Sequence, residues 1–370
     1  MGDAELIYKI ALTKIPLVGA ITAKNLIGYC GGVQEVFRAK KRDLIRIPGI
    51  GEQIANNIVR QNVLEEAEKE MLFVEREGIE ALFYLDARYP QRLRHLPDAP
   101  VLLYYRGTTP LNTPRTLGIV GTRQPTHRGI AICEGIISDL AGCGVVIISG
   151  LAYGIDVAAH RHALRMNLPT IGVLGHGLDQ IYPPAHRKVA EEMAAHGGLL
   201  TEFSSASRPD RENFPMRNRI VAGLCDALLV IETNIRGGSM ITAQLANDYH
   251  KEVFAVPGRV GDTLSAGCHL LIKSHRATLV ESAADLQYHL GWEDQPDGTT
   301  TGQGVQVSMF PELSDDERKI VELLRTKDTM EVDLLAHETD LEPSTLAALL
   351  LQLEFKGLIR TLPGKRYLLG

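Results

Sequence analysis

From Thr116 to Val256 the chain alternates short β-branched and aliphatic runs with helical segments, and this rhythm constrains the fold more than any other feature. Leu117–Val120, Val145–Ile148, Pro169–Leu174, Ala227–Ile231 and Val253–Val256 are almost wholly apolar, with no polar residue at every second place. Strands of that kind are buried on both faces, an environment supplied by a parallel sheet with helices on each side. Leu199–Glu202 predicts a further short strand, and Gly129–Ala141 and Ser239–His250 predict helices between strands. The fold class that follows is α/β, a doubly wound Rossmann-like and mostly parallel sheet.

Both flanks differ from this centre. Residues 1–72 are helical, with two related phrases, Ile15-Pro16-Leu17-Val18-Gly19 and Ile47-Pro48-Gly49-Ile50-Gly51. A helix opening straight after such glycines is the layout of a helix–hairpin–helix, or SAM-like, domain. Its free N-terminal amides can hold a DNA phosphate, or the glycines can simply turn the chain between packed helices. Residues 73–290 are expected to form an extended Rossmann-like domain in which 73–113 connects the helical front to the sheet. Residues 291–310, rich in Asp, Gly, Thr and Gln, predict a flexible linker. Residues 311–370 carry helical patterns at Ser314–Leu324, Glu331–Glu338 and Pro343–Lys356, then a short hairpin, the order of a winged helix. Its third helix, Ser344–Phe355, has no basic residue, which favours protein docking over DNA reading.

Charge restricts where a polyanion could sit. The chain is −6 overall, yet residues 115–276 hold 16 Lys and Arg against 14 Asp and Glu, while 311–370 hold 8 against 12. The centre is therefore the better place for nucleic acid. Five cysteines without a CxxC pair exclude a zinc ribbon and argue against a disulfide scaffold. Neither a signal-peptide layout nor a long apolar segment is present, so a cytoplasmic chain with no membrane contact is expected.

In an open parallel sheet, ligands bind beyond the carboxyl ends of the strands. The segments expected there share a character: Gly121-Thr122-Arg123, Ser149-Gly150, Tyr182 with Arg187 and Lys188, Phe214 with Arg217-Asn218-Arg219, and Gly237-Gly238-Ser239 with Thr242. Glycines admit a phosphate closely, hydroxyls and amides donate to it, and arginine forks match its oxygens. Neither GxGxxG nor GxxxxGK[ST] occurs, so the usual dinucleotide and P-loop readings fail. Arg217 and Arg219 have a second reading, pairing with Asp210 or Glu212. His160 is expected as a packing histidine, Asp156 and Asp179 as loop braces, and Cys225 and Cys268 as core thiols; no metal site is expected.

The ordered set Gly118-Ile-Val-Gly121-Thr-Arg123, Ser149-Gly150-x-Ala152-x-Gly154-Ile155-Asp156-x-x-Ala159-His160, Gly177-Leu178-Asp179-x-x-Tyr182-Pro183, Phe214-Pro215-x-Arg217-Asn218-Arg219-Ile220, Gly238-Ser239-x-x-Thr242-Ala243 and Val256-Pro257-Gly258 resembles the DNA-processing protein A family, DprA or Smf. The match runs through about Arg88–Ala277. It implies a non-enzymatic homodimer without a cofactor that binds single-stranded DNA during natural transformation, protects it, and loads the RecA recombinase. It also implies that Arg123 and the segment around Arg187 and Lys188 contact the DNA backbone, and that the turns at Gly118–Thr122, Phe214–Arg219 and Gly237–Thr242 line the pocket. Some relatives carry lysine where this chain has Pro184. Two alternatives come with the fold. The Arg236–Thr242 turn resembles the phosphate loop of nucleoside-monophosphate phosphoribohydrolases, although Ala243-Gln244 stands where their acid is expected. The chain could also serve as an adaptor whose flanking domains carry the interactions.

Overall fold

The computed structural model describes residues 2–292, 314–326, 330–339, 341–355, 358–362 and 366–369. The first of two units spans Met1–Gln295 and contains the helical front and the sheet. The sheet strands are β1 (Glu80–Phe83), β2 (Leu102–Gly107), β3 (Arg115–Val120), β4 (Val145–Ser149), β5 (Thr170–Val173), β6 (Gly197–Thr201), β7 (Ala227–Val230), β8 (Glu252–Ala255) and β9 (Thr278–Leu279). They lie in the order β1-β2-β6-β5-β4-β3-β7-β8-β9. Strands β6 through β9 in that order pair in parallel, while β1–β2 and β2–β6 are antiparallel. The chain thus starts its parallel portion at β3, builds outward through β4, β5 and β6, then returns to the other side of β3 with β7 and β8. That reversal puts the topological switch point between β3 and β7.

The apolar runs are buried as their composition demands. Every residue of β4, β5, β6 and β7 is buried, and separate apolar layers cover the two faces of the sheet. Residues 73–113 are more than a connection, because they add β1 and β2 to the sheet edge. The cause lies in Leu102–Tyr105, four consecutive buried residues that a solvent-facing loop could not hide. Tyr105 lies over Gly198, where a Cβ would come within 2.3 Å of its ring, so the glycines of β6 admit this added strand.

In the helical front the two related phrases build equivalent turns. Leu17 and Gly49 occupy left-handed positions, with φ of 68° and 83°, ahead of the helices Ala20–Cys30 and Glu52–Val59. Ile15, Val18, Ile47 and Ile50 are buried beneath them. The front is tied to the loop after β6, where the buried Glu70 carboxylate accepts from the Ser205 amide at 2.8 Å and from its hydroxyl.

Trp292, expected to open the linker, is instead 6% exposed and packs in the layer under the helices His127–Asp139 and Ala283–Leu290. Gly291 caps the helix Ala283–Leu290 in a left-handed conformation, and residues 293–310 of the expected linker lie outside the described residues. In the second unit, Pro296–Gly370, the helices Asp315–Thr326, Val332–Thr339 and Pro343–Phe355 accompany β10 (Met330–Glu331), β11 (Ile359–Leu362) and β12 (Arg366–Leu369). These strands form a sheet ordered β10-β12-β11 over Ile320, Leu335, Leu346, Leu350 and Ile359, a winged helix with its own small core. Among the described residues, no helix is long and apolar enough to cross a membrane.

Candidate nucleic-acid interface

A cleft of 790 Å³ opens at the switch point, beyond the carboxyl ends of β3, β4 and β7. Three turns meet there. The turn after β3 is fixed at both ends: the Thr122 amide donates to the Glu232 carbonyl at 2.6 Å, and the buried Glu232 carboxylate accepts from the Thr126 amide at 2.9 Å and its hydroxyl at 2.5 Å. The turn after β4 crosses directly beneath it. Gly154 has φ of 84°, and a Cβ there would lie 2.1 Å from the Thr122 carbonyl oxygen, so only glycine allows the crossing. After β7, Gly237 precedes the helix Gly238–Asp248 without a side-chain cap, leaving that helix's first amides toward the cleft.

Arg123 stands exposed at the mouth of the cleft, its guanidinium carbon 5.7 Å from the centroid of the Phe214 ring. Among the described residues it has no ion-pair partner. Phe214 is tilted toward Tyr182 with centroids 6.0 Å apart, and Tyr182 is 44% exposed. The Tyr182 loop is braced from below by buried His176, whose Nε2 accepts from the Tyr182 amide at 3.2 Å while Nδ1 meets the Gly177 carbonyl at 2.9 Å. Burial pushes the His176 pKa down, in keeping with a neutral ring that donates at one nitrogen and accepts at the other.

Beneath this surface lies a second arginine with a different task. Arg217 is 4% exposed and donates to the Val173 carbonyl at the end of β5. Gly150 makes the room, since a Cβ there would fall 2.0 Å from Arg217 Nη1. Asp156 is its electrostatic partner. Burial pushes that carboxyl up from its ordinary value, opposed by the Arg217 charge and by the Ala152 and Gly150 amides. Asp156 is therefore the loop brace that its position suggested. His160 is a packing histidine, fully buried with Nδ1 2.7 Å from Thr170 Oγ1 and a pKa lowered by burial to about 3. Cys225 and Cys268 are buried thiols, pushed up by burial to about 12.

The sixteen expected contact residues divide. Gly121, Thr122, Arg123, Gly150, Tyr182, Phe214, Arg217, Asn218, Gly237, Gly238, Ser239 and Thr242 all border the cleft. Several of them serve the wall more than its surface: Ser239 Oγ donates to Thr233 Oγ1 at 2.7 Å and Thr242 is buried. Ser149 is not at the surface, being fully buried with its hydroxyl donating to the Ile119 carbonyl at 2.6 Å. Arg219 points away from the cleft, into an ion pair with Glu202 and a hydrogen bond to the Asp98 carbonyl, because successive positions on the helix Asn213–Leu224 face different sides. Neither Asp210 nor Glu212 is the partner of Arg217 or Arg219. Arg187 and Lys188 are exposed on the first turn of the helix Arg187–His196 but do not border the cleft. Buried His186, held by the Leu151 carbonyl at 2.9 Å, pins the start of that turn. Arg211 and Asn234 do border it and were missed by sequence reasoning. For Arg211 a signal existed, a cation one helical turn ahead of Phe214.

The family model for DNA recombination-mediator protein A matches residues 80–291, more than half of the chain. The chain belongs to this family. The DprA winged helix domain matches residues 310–365 and the helix-hairpin-helix motif residues 10–68. Protein Smf of Synechocystis is 32% identical over 99% of both chains. The DNA processing protein DprA of Streptococcus pneumoniae is 42% identical over 55% of this chain and 71% of its own length. Solved structures agree. DprA of Streptococcus pneumoniae superposes with a TM-score of 0.66 at 32% identity, covering 78% of this chain and 98% of that one. The Helicobacter pylori protein, described for its single-stranded DNA binding mode, gives 0.53 at 32% identity, covering 57% and 95%.

Proposed function

We propose that this DprA-family chain binds single-stranded DNA in the switch-point cleft, gripping sugar-phosphate without cutting it. One observation carries the reading: exposed Arg123, without an ion-pair partner among the described residues, is poised over Phe214 beside Tyr182 and borders the same cleft as the uncapped start of the helix Gly238–Asp248. A cation, an amide cradle and two aromatic faces suit a phosphate flanked by unpaired bases, which duplex DNA would keep stacked inside. The single-stranded DNA binding described for the Helicobacter pylori relative supports the same class of ligand. Protection of incoming DNA, homodimer formation and delivery to the RecA recombinase in the cytoplasm complete the proposed role, supported by family membership.

Hydrolysis has less support. Asp156 is the one carboxylate among the described residues bordering the cleft, and it is occupied by backbone amides. Gln244, where a phosphoribohydrolase would need its acid, is bonded to Asp248 at 2.6 Å. Fluorescence anisotropy with labelled oligo(dT) and a duplex of equal length, across a salt series, tests the reading. The single strand is expected to bind more tightly, with affinity falling steeply as salt rises. Indifference to oligonucleotides at low ionic strength would overturn it, and release of free base from AMP would favour the enzyme.

A further inference from the structure

The cleft is not the largest concavity in this unit. A groove of 1230 Å³ begins at Arg123, which borders both spaces, and at Tyr153, which lines a small pocket shared with the cleft residues Tyr182 and Phe214, and it continues between the helices Ile155–Arg165 and Arg187–His196 to Thr108, Pro169 and His196. Those last residues lie at the opposite edge of the sheet, before β5 and β6 and after β2, so the groove crosses the whole layer. The helix Ile155–Arg165 has 11 residues, giving the path a length of about 16 Å.

Its lining has the chemistry of a strand track. Tyr153 is 48% exposed at the junction and is held edge-on by the buried His186 ring, with centroids 5.0 Å apart. Two turns farther along the helix, exposed Arg161 borders the groove, and among the described residues it has no ion-pair partner. Arg165 follows one turn later, but it is paired to Glu134 at 2.5 Å, and the two charges cancel. Glu192, on the far wall, is the remaining acid. Val157, Leu164 and Leu168 give the floor an apolar surface on which bases can lie.

We propose that this groove carries the continuation of the same single strand, which leaves the cleft over Tyr153 and places a phosphate on Arg161. The proposal rests on the reading of the cleft as a single-strand site. It predicts that affinity rises with length once the oligonucleotide can reach past Tyr153, and that Arg161 serves only the added length.

Anisotropy with oligo(dT) of about 5 and about 15 nucleotides, within the range over which single-strand modules differ in site size, tests this in the full chain. Arg161→Ala is expected to weaken the long oligonucleotide by roughly tenfold and to leave the short one unchanged. The slope of log affinity against log salt should fall by about 0.7 for the long strand only, the loss of one phosphate contact. Arg161→Lys should restore most of that slope. Equal affinity of Arg161→Ala and the parent for both lengths overturns the track, as does an equal loss at both lengths. A parent chain that ignores both oligonucleotides overturns the cleft reading itself, and the track with it.

Discussion

Arg123 and Arg217 both border one cleft, yet their surroundings predict opposite consequences for their loss. Arg123 is exposed, its only described contact being the face of Phe214 at 5.7 Å. Arg123→Ala removes no buried partner, so its effect on stability should stay within about 0.5 kcal/mol, as for other surface substitutions. In the complex it removes one charge-assisted bond to phosphate, about 1.5–3 kcal/mol, or roughly tenfold to a hundredfold in Kd. The salt slope should drop by about 0.7, because one fewer counterion contact is released. Anisotropy against oligo(dT) at several salt concentrations, paired with thermal melting by circular dichroism, reads both quantities on one preparation. A variant that binds with the parent's affinity and slope would remove Arg123 from the interface. A variant that loses affinity through a fall in melting temperature would show that the exposed side chain braces the fold, contrary to its geometry.

The other expectations concern the buried layer. Arg217→Met takes the buried donor away from the Val173 carbonyl and the offsetting charge away from Asp156, which costs about 1–3 kcal/mol. Calorimetry should show a melting temperature lower by about 2–12 °C, and an unchanged transition would refute the structural role of Arg217. His160 is neutral in the fold, its pKa lowered from 6.5 to about 3, so the unfolded chain binds the extra proton first. Its contribution is fully present above the unfolded value of 6.5 and is lost as pH falls toward about 3. Stability should therefore decline by up to about 1.4 kcal/mol per pH unit through that window from this group. His160→Asn should show a shallower decline in urea unfolding followed from pH 7 to pH 4, and an identical pH profile would refute the assignment.

Most of the parallel core was legible because its strands have no polar side to show. Val145–Ile148 or Ala227–Ile231 can be buried on both faces in few other ways, and the predicted edges fall within a residue or two of β4 and β7. The antiparallel edge was hidden because Leu102–Tyr105 is equally apolar but stands apart from the strand–helix rhythm, with only the four-residue helix Gln91–Arg94 between it and β1, too short to mark a unit. Trp292 was assigned to the linker by the polar residues after it, while its own indole had enough area to keep it in the core.

The site was legible by position and less so by role. Loops after parallel strands converge by topology alone, so Gly121, Arg123, Tyr182 and Gly237 could be brought together from their order in the chain. What spacing cannot give is which side of a helix turn is buried. Arg217 and Arg219 are two residues apart on one helix, and a rotation of about 200° sends them to different partners, Asp156 and Glu202. The glycines carry the same lesson. Gly150 and Gly154 look like phosphate-approach positions, yet the first makes space for a guanidinium and the second for a crossing carbonyl. Both act one step before binding, by packing the crossed loops tightly enough that Arg123 is held over Phe214. Gly150→Ala would thus disturb ligand affinity only through the arginine beneath it, and that places the specificity of this motif set in the architecture of the cleft floor as much as in the groups that touch DNA.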